Sequence, residues 1–159
     1  ERIPLLQEVL DDVAGKVPLI IEIKSKIKYA DTVKKLAEIM QGYHGIYCIE
    51  SFNPLAVAWY RRHHPEVLRG QLSTGYPINK SKWFAFVKET LFSNLLLNWY
   101  SKPDFIAYNH KHADQVPFWL CRKFYGVESA AWTIRSQEEL NRAKKVFQVF
   151  IFDGFIPRK

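Results

Sequence analysis

Cysteine is scarce in this chain: there are two in 159 residues, and Cys48 and Cys121 stand alone without metal-type spacing. That excludes a zinc ribbon and a disulfide framework. Cys48 falls in a predicted strand and Cys121 in a predicted helix, so both are expected to be buried thiols. Nothing argues for an oxidising compartment, and a cytoplasmic setting is the expectation. No secretory leader opens the sequence. Its first residue is Glu1 and not Met, so the chain is expected to begin inside a longer protein. Glycine-rich turns are missing after the first predicted strand, which removes the phosphate loop of a dinucleotide-binding fold. Basic residues come as scattered pairs (Lys34-Lys35, Arg61-Arg62, Lys144-Lys145) with no long run and no RNA-reading motif, so nucleic acid is not an expected partner. The aromatic stretch from Lys82 to Lys102 is interrupted by Lys88 and Glu89 and is too broken to cross a membrane. It is read as a helix packed on the domain, with membrane contact or a lid as the alternative.

What is present is a globular composition, 48% hydrophobic, with a net charge of +7. The length suits one domain with a substantial core, and the positive balance suits an anionic partner. The most informative segment is Pro18-Leu19-Ile20-Ile21-Glu22-Ile23-Lys24. Its β-branched run reads as a buried strand, yet it carries two charges. The two-residue strand period places Glu22 and Lys24 on one face. Buried charges are costly unless they pair or hold a ligand, so the segment is either a structural ion pair or part of a site.

Strand and helix signals alternate along the rest of the chain. Leu5, Leu6, Val9, Leu10 and Val13 recur at helical spacing before Gly15, and Val33, Leu36, Ala37 and Met40 do so before Gly42. Gly45 to Phe52 reads as a second strand, and Asn53-Pro54 is a helix start running to about His63. Further strands are predicted over Val67–Ser73, Phe105–Asn109, Val127–Thr133 and Val146–Phe152. Helices are predicted over Val116–Tyr125 and after the Ser136/Glu139 capping box. The alternation predicts a parallel sheet with helical crossovers. Polar residues recur at strand ends (Glu22/Lys24, Ser51, Gln71, Asn109, Trp132/Thr133, Asp153), which favours a barrel over an open sheet, because barrel sites are built there.

The order of motifs resembles the glycerophosphodiester phosphodiesterases. Ile3–Leu10 looks like the family's "IPTLEEVL" helix, with Leu5 where Thr is usual. Leu19–Lys24 looks like its "EIK" strand, and Ser51-Phe52 is similar to its "SF" strand end, followed by Asn-Pro-Leu. Ala131-Trp132-Thr133 matches its "WT" strand, with Gln137–Leu140 as the next helix and Val149–Gly154 as the terminal strand.

The resemblance implies an α/β fold, a TIM (β/α)8-type barrel incomplete at its N-terminus, with residues 1–159 as one N-terminally truncated phosphodiesterase domain showing strands three to eight. It also implies metal-dependent hydrolysis of glycerophosphodiesters to glycerol 3-phosphate and an alcohol. Glu22 is then a ligand of Mg²⁺ or Ca²⁺, Lys24 a phosphate contact, Trp132 an apolar wall for the glycerol, and Ser51 a weaker substrate contact. Both of the family's catalytic histidines are missing from their motif positions, as are two of its three metal carboxylates. His44, His63 and His64 are expected away from the catalytic end, whereas His110 and His112 follow a strand at that end. Three alternatives stay open. They are a non-catalytic barrel that binds phosphate esters, a homo-oligomer covering the open strand edges, and a lysophospholipase D-like enzyme near a membrane.

Overall fold

The computed structural model describes residues 2–24, 28–74, 97–114 and 116–158. The predicted aromatic helix lies mostly outside the described residues. Its end is the short helix α4, Asn98–Ser101. The other elements are α1 (Leu6–Val13), β1 (Leu19–Glu22), α2 (Tyr29–Met40), β2 (Tyr47–Ser51), α3 (Pro54–His63), β3 (Leu68–Ser73) and β4 (Phe105–Asn109). A 3₁₀ turn (His110–His112), α5 (Val116–Tyr125), β5 (Glu128–Ile134), α6 (Gln137–Ala143) and β6 (Val149–Phe152) complete the order.

Local signals explain most of these boundaries. Asn53 Oδ1 accepts the Leu55 N–H at 3.0 Å, and Pro54 opens α3, where a missing N–H costs nothing. Leu5 has no side-chain oxygen to cap α1, so the Glu8 carboxylate accepts the Leu5 N–H at 2.8 Å instead. Ala14 and Gly15 then end that helix in the left-handed region, at φ 47° and 73°. At α6, Ser136 Oγ accepts from the Glu139 N–H as expected, but Glu139 returns its bond to the Arg135 N–H, one residue further out.

The six strands form one parallel sheet in the order β1-β2-β3-β4-β5-β6. A doubly wound sheet reverses direction partway and puts helices on both faces. Here each strand pairs with the next in sequence, and the cores lie accordingly. One cluster joins Leu10, Val33, Leu36, Met40, Ala56 and Tyr60 of the helices to Ile49. A second joins Phe118, Cys121, Leu140 and Ala143 to Ile106, Tyr108, Ala131 and Ile134. A third cluster holds strand residues alone: Leu72, Ala107 and Ala130, with Phe105, Trp132 and Ile151 against them. Helices therefore cover one face and strand side chains fill the other, which is the layering of a (β/α) barrel wall. Phe52 at the end of β2 meets Trp132 of β5 edge to face at 5.7 Å, across the two strands between them, as a curled sheet allows. Gly70 gives the inner layer room, since a Cβ there would lie 2.3 Å from the Phe105 ring.

One expectation about β1 needs correcting. It is not a fully buried strand: its side chains alternate, with Ile20 52% exposed. Leu19 and Ile21 pack on the helix layer, while among the described residues no helix covers the inner face of this edge strand.

The N-terminal ends of β3 and β4 are tied by a mostly buried ion pair. Arg69 Nη2 lies 2.8 and 2.6 Å from the two Asp104 oxygens, Asp104 Oδ2 accepts the Arg69 N–H, and the Asp104 N–H donates to the Arg69 carbonyl. Arg69 is 8% exposed, so removing its partner leaves a charge it cannot easily hydrate. Asp104→Asn is expected to destabilise the chain by about 2–3 kcal/mol, below the figure for fully buried pairs because Asp104 keeps some solvent contact. Urea denaturation checks this, and a loss under about 0.5 kcal/mol, the range of an ordinary surface change, would contradict it.

Candidate functional site

The C-terminal ends of the strands form the mouth of the curled sheet. At β1, Lys24 Nζ sits 3.4 Å from Glu22 Oε2, so the two charges do share a face. Lys24 is largely exposed, and Glu22 is about a third exposed. Their ion pair is therefore weak and exchangeable.

A third charged residue joins them that the sequence motifs did not single out. Glu50 of β2 is the direct register partner of Glu22, and Gly70 of β3 is the register partner of Glu50. Leu72, two residues beyond Gly70, belongs to the strand-only cluster. The period of two thus puts Glu22, Glu50 and Gly70 on the inner face. Glu50 is 7% exposed, and its Oε2 has no hydrogen-bond partner among the described residues. Burial, and then the neighbouring Glu22 charge, push its carboxyl up to about 7. The signal for it was a second Glu inside an apolar strand run, two residues before Phe52.

Ser51 faces the other way. It is fully buried, its Oγ donates to the Ile23 carbonyl at 2.7 Å, and it accepts the Asn53 N–H at 3.1 Å. Gln71 Nε2 reinforces this corner by donating to the Ser51 and Phe52 carbonyls. Ser51, expected as a substrate contact, thus has a different observed job: it clamps the end of β1 to the β2–α3 corner, and so fixes where Glu22 and Glu50 stand. Its place next to an inward residue explains the difference, because adjacent strand residues point to opposite faces.

Trp132 lies on the inner face against Leu72, Ala107 and Ala130, with Phe52 across from it. Its indole Nε1–H is buried without a partner among the described residues. Asn109, the register partner of Trp132, donates from Nδ2 to Thr74 Oγ1 and accepts the Lys111 N–H. It fixes the loops after β3 and β4. Asp153 pairs with Arg135 at 3.0 Å on the surface.

None of the five histidines occupies an inward strand position. His44 lies in the α2–β2 loop, beside a groove lined by Asp11, Ala14, Gly42 and Tyr43. His63 stacks on Trp59 at 4.3 Å, and His64 bonds Glu66 at 3.2 Å, both at the C-terminal end of α3. His110 turns toward the helix layer, with Nε2 3.6 Å from Glu139. Burial lowers its pKa despite the opposing effect of that carboxylate, so His110 is neutral at pH 7. His112 ends the 3₁₀ turn beyond β4. The thiols are also silent: burial pushes Cys48 and Cys121 up to about 11, which keeps both protonated.

A curled parallel sheet with helices on one face, and carboxylates, a lysine and a tryptophan at its C-terminal mouth, defines the class as a (β/α)-barrel wall with a polar site at the catalytic end. No family model and no curated protein matches the sequence. Its fold, by contrast, matches solved structures. A glycerophosphodiester phosphodiesterase from Parabacteroides distasonis is similar at 18% identity and TM-score 0.71, over 96% of this chain and 61% of its own. An Oleispira antarctica phosphodiesterase, solved with its product sn-glycerol-3-phosphate, is similar at 19% identity and TM-score 0.69, over 94% and 57%. One from Agrobacterium tumefaciens is similar at 15% identity and TM-score 0.59, over 95% and 58%. The chain therefore has the fold of these phosphodiesterases, and it spans under two thirds of the length of each.

Proposed function

We propose that the chain supplies the cation- and phosphate-binding wall of a barrel that hydrolyses glycerophosphodiesters to glycerol 3-phosphate and an alcohol. The observation that carries this reading is Glu22, on the inner face with Lys24 3.4 Å from it, at the mouth of a sheet that superposes on phosphodiesterases.

The donor set suits a hard divalent cation. Among the described residues no group of three or more His, Cys, Asp or Glu side chains is poised for a metal. Mg²⁺ is nonetheless commonly held by only one or two protein carboxylates, with waters and phosphate oxygens as its remaining ligands. The Glu22 carboxylate, partly exposed at the mouth, is a hard oxygen donor for that purpose. A bound cation would polarise a phosphoryl oxygen and offset its charge.

The chain's own residues do the rest of the binding. Lys24, exposed and only loosely held by Glu22, can turn its ammonium to a phosphate oxygen. Trp132 and Phe52 offer an apolar wall, and the unpartnered indole N–H is a donor for a hydroxyl or phosphate oxygen. None of the five histidines lies on β1 or β2 beside Glu22 and Lys24.

The test has two arms. Titration calorimetry with sn-glycerol 3-phosphate in Mg²⁺ or Ca²⁺ is expected to show binding that disappears on adding chelator and weakens at least tenfold in Glu22→Gln and Lys24→Ala. Absence of binding would overturn the proposal. In the second arm, the chain is expected to cleave glycerophosphocholine no faster than buffer does. Turnover that depends on Glu22 would instead show that the chain carries its own acid–base groups. Among the described residues no helix is long and apolar enough to cross a membrane.

A further inference from the structure

The geometry points to Glu50 as a second protein ligand of the divalent cation, acting together with Glu22 across the β1–β2 register. The inference rests on the proposed function above and goes further, since that reading needs Glu22 alone.

Three observations converge on Glu50. It is directly opposite Glu22 in a parallel ladder, so both carboxylates leave the sheet on the same face from adjacent strands, about 4.8 Å apart in the hydrogen-bonding direction. A cation between them can take an oxygen from each without any backbone movement. Next, Glu50 is 7% exposed and its Oε2 has no partner among the described residues. Buried carboxylate oxygens are normally paired, and one that is not calls for a functional or structural reason. Finally, Lys24 is engaged with the other carboxylate, 3.4 Å from Glu22 Oε2. No described basic group forms an ion pair with Glu50.

A purely structural role fits these facts poorly. A glutamate kept for packing would be served as well by glutamine or leucine, without two like charges on facing positions. Nor is Glu50 the carboxylate half of an ion pair with the surrounding lysines. What relieves both carboxylates at once is a small doubly charged ion with oxygen-ligand preference. With Glu22 engaged by such an ion, Lys24, now 3.4 Å from Glu22 Oε2, would be available to a phosphate oxygen. The backbone supports this placement: Ile23 N–H donates to the Glu50 carbonyl at 2.8 Å, and Ser51 Oγ donates to the Ile23 carbonyl. The two strand ends are thus fixed relative to each other.

Calorimetry of the full chain with Mn²⁺, Mg²⁺ and Ca²⁺, in the absence of any phosphate ester, tests the assignment. The expected result is one cation per chain, bound roughly tenfold or more weakly by Glu50→Gln and by Glu22→Gln, with Glu50→Asp in between. The glutamine variants are near-isosteric, and far-UV circular dichroism confirms that they remain folded. Unchanged affinity in Glu50→Gln with loss in Glu22→Gln would overturn the role of Glu50 while leaving the proposed function standing. Unchanged affinity in both variants, or no cation bound by the wild type, would overturn both.

Discussion

Glu50→Gln is expected to make the metal-free chain more stable, by ~3 kcal/mol at pH 8 and by little at pH 4.5. The cause is the position of the carboxyl, buried and facing Glu22, which raises its pKa from 4.5 to about 7. A group that holds its proton more tightly when folded favours the fold below its unfolded pKa. That contribution is lost as pH rises through the folded value. The wild-type chain in chelator therefore loses stability between pH 4.5 and 7 on account of this one residue, and glutamine removes the dependence. Urea denaturation of both proteins at the two pH values, with EDTA present, measures it. The quantity to read is the change in their difference, because the titration of His110 and the surface carboxylates is common to both and cancels. A difference that stays constant with pH would show that Glu50 is not held protonated. Under the proposed role of Glu50, a gain in stability and a loss of cation binding in the same variant belong together, since two carboxylates on facing strand positions repel each other.

Phe118→Ala should destabilise the chain by about 4 kcal/mol, more than the loss of the Arg69–Asp104 pair. Phe118 of α5 is 1% exposed and sits between Tyr108 of β4 at 4.5 Å and Phe147 after α6 at 5.0 Å, both rings stacked. It is the point where α5, the β4–β5 region and the turn after α6 meet in one cluster. Alanine removes the ring contacts and leaves a cavity whose walls are themselves rings and cannot collapse inward. For a chain of this length the melting temperature should fall by roughly 10 °C. Phe118→Leu, which keeps most of the volume, should cost less than half as much. If the alanine variant melted within about 2 °C of wild type, the second cluster would not be the helix-side core of this half of the sheet.

Phe118 and Glu50 sit on the two faces of one sheet. Phe118 belongs to the helix-covered side, where apolar burial holds the strands in place. Glu50 belongs to the inner side, where stability has been given up to assemble charge. The barrel layering makes such a division possible, because alternate residues of each strand go to opposite faces.

Much of this was legible in the linear sequence. Asn53-Pro54 placed the start of α3, Pro117 and Gly126 bracketed α5, and Phe105–Asn109 matched β4 to the residue. These signals work because capping, turn chemistry and period are local. The start of β6 was less legible. Val146 and Phe147 have strand-forming side chains, but both N–H groups bond back to Ala143, prolonging the helical turn, so the strand begins at Val149. Local propensity lost there to the packing of Phe147 on Phe118. Ser51 and Glu50 were the other limit. They are neighbours in sequence, and only the position of β2 between β1 and β3 shows which of the two points into the mouth.

By itself the sequence determined the alternation of strands and helices, the shared face of Glu22 and Lys24, and the absence of inward strand histidines, because each follows from local period and residue identity. The tertiary structure decided three further things: that the described helices lie on one side, that Glu22 meets Glu50, and that Ser51 turns away to hold the backbone. Those depend on strand order and register, which are set by long-range pairing and by which face finds an apolar layer to bury against.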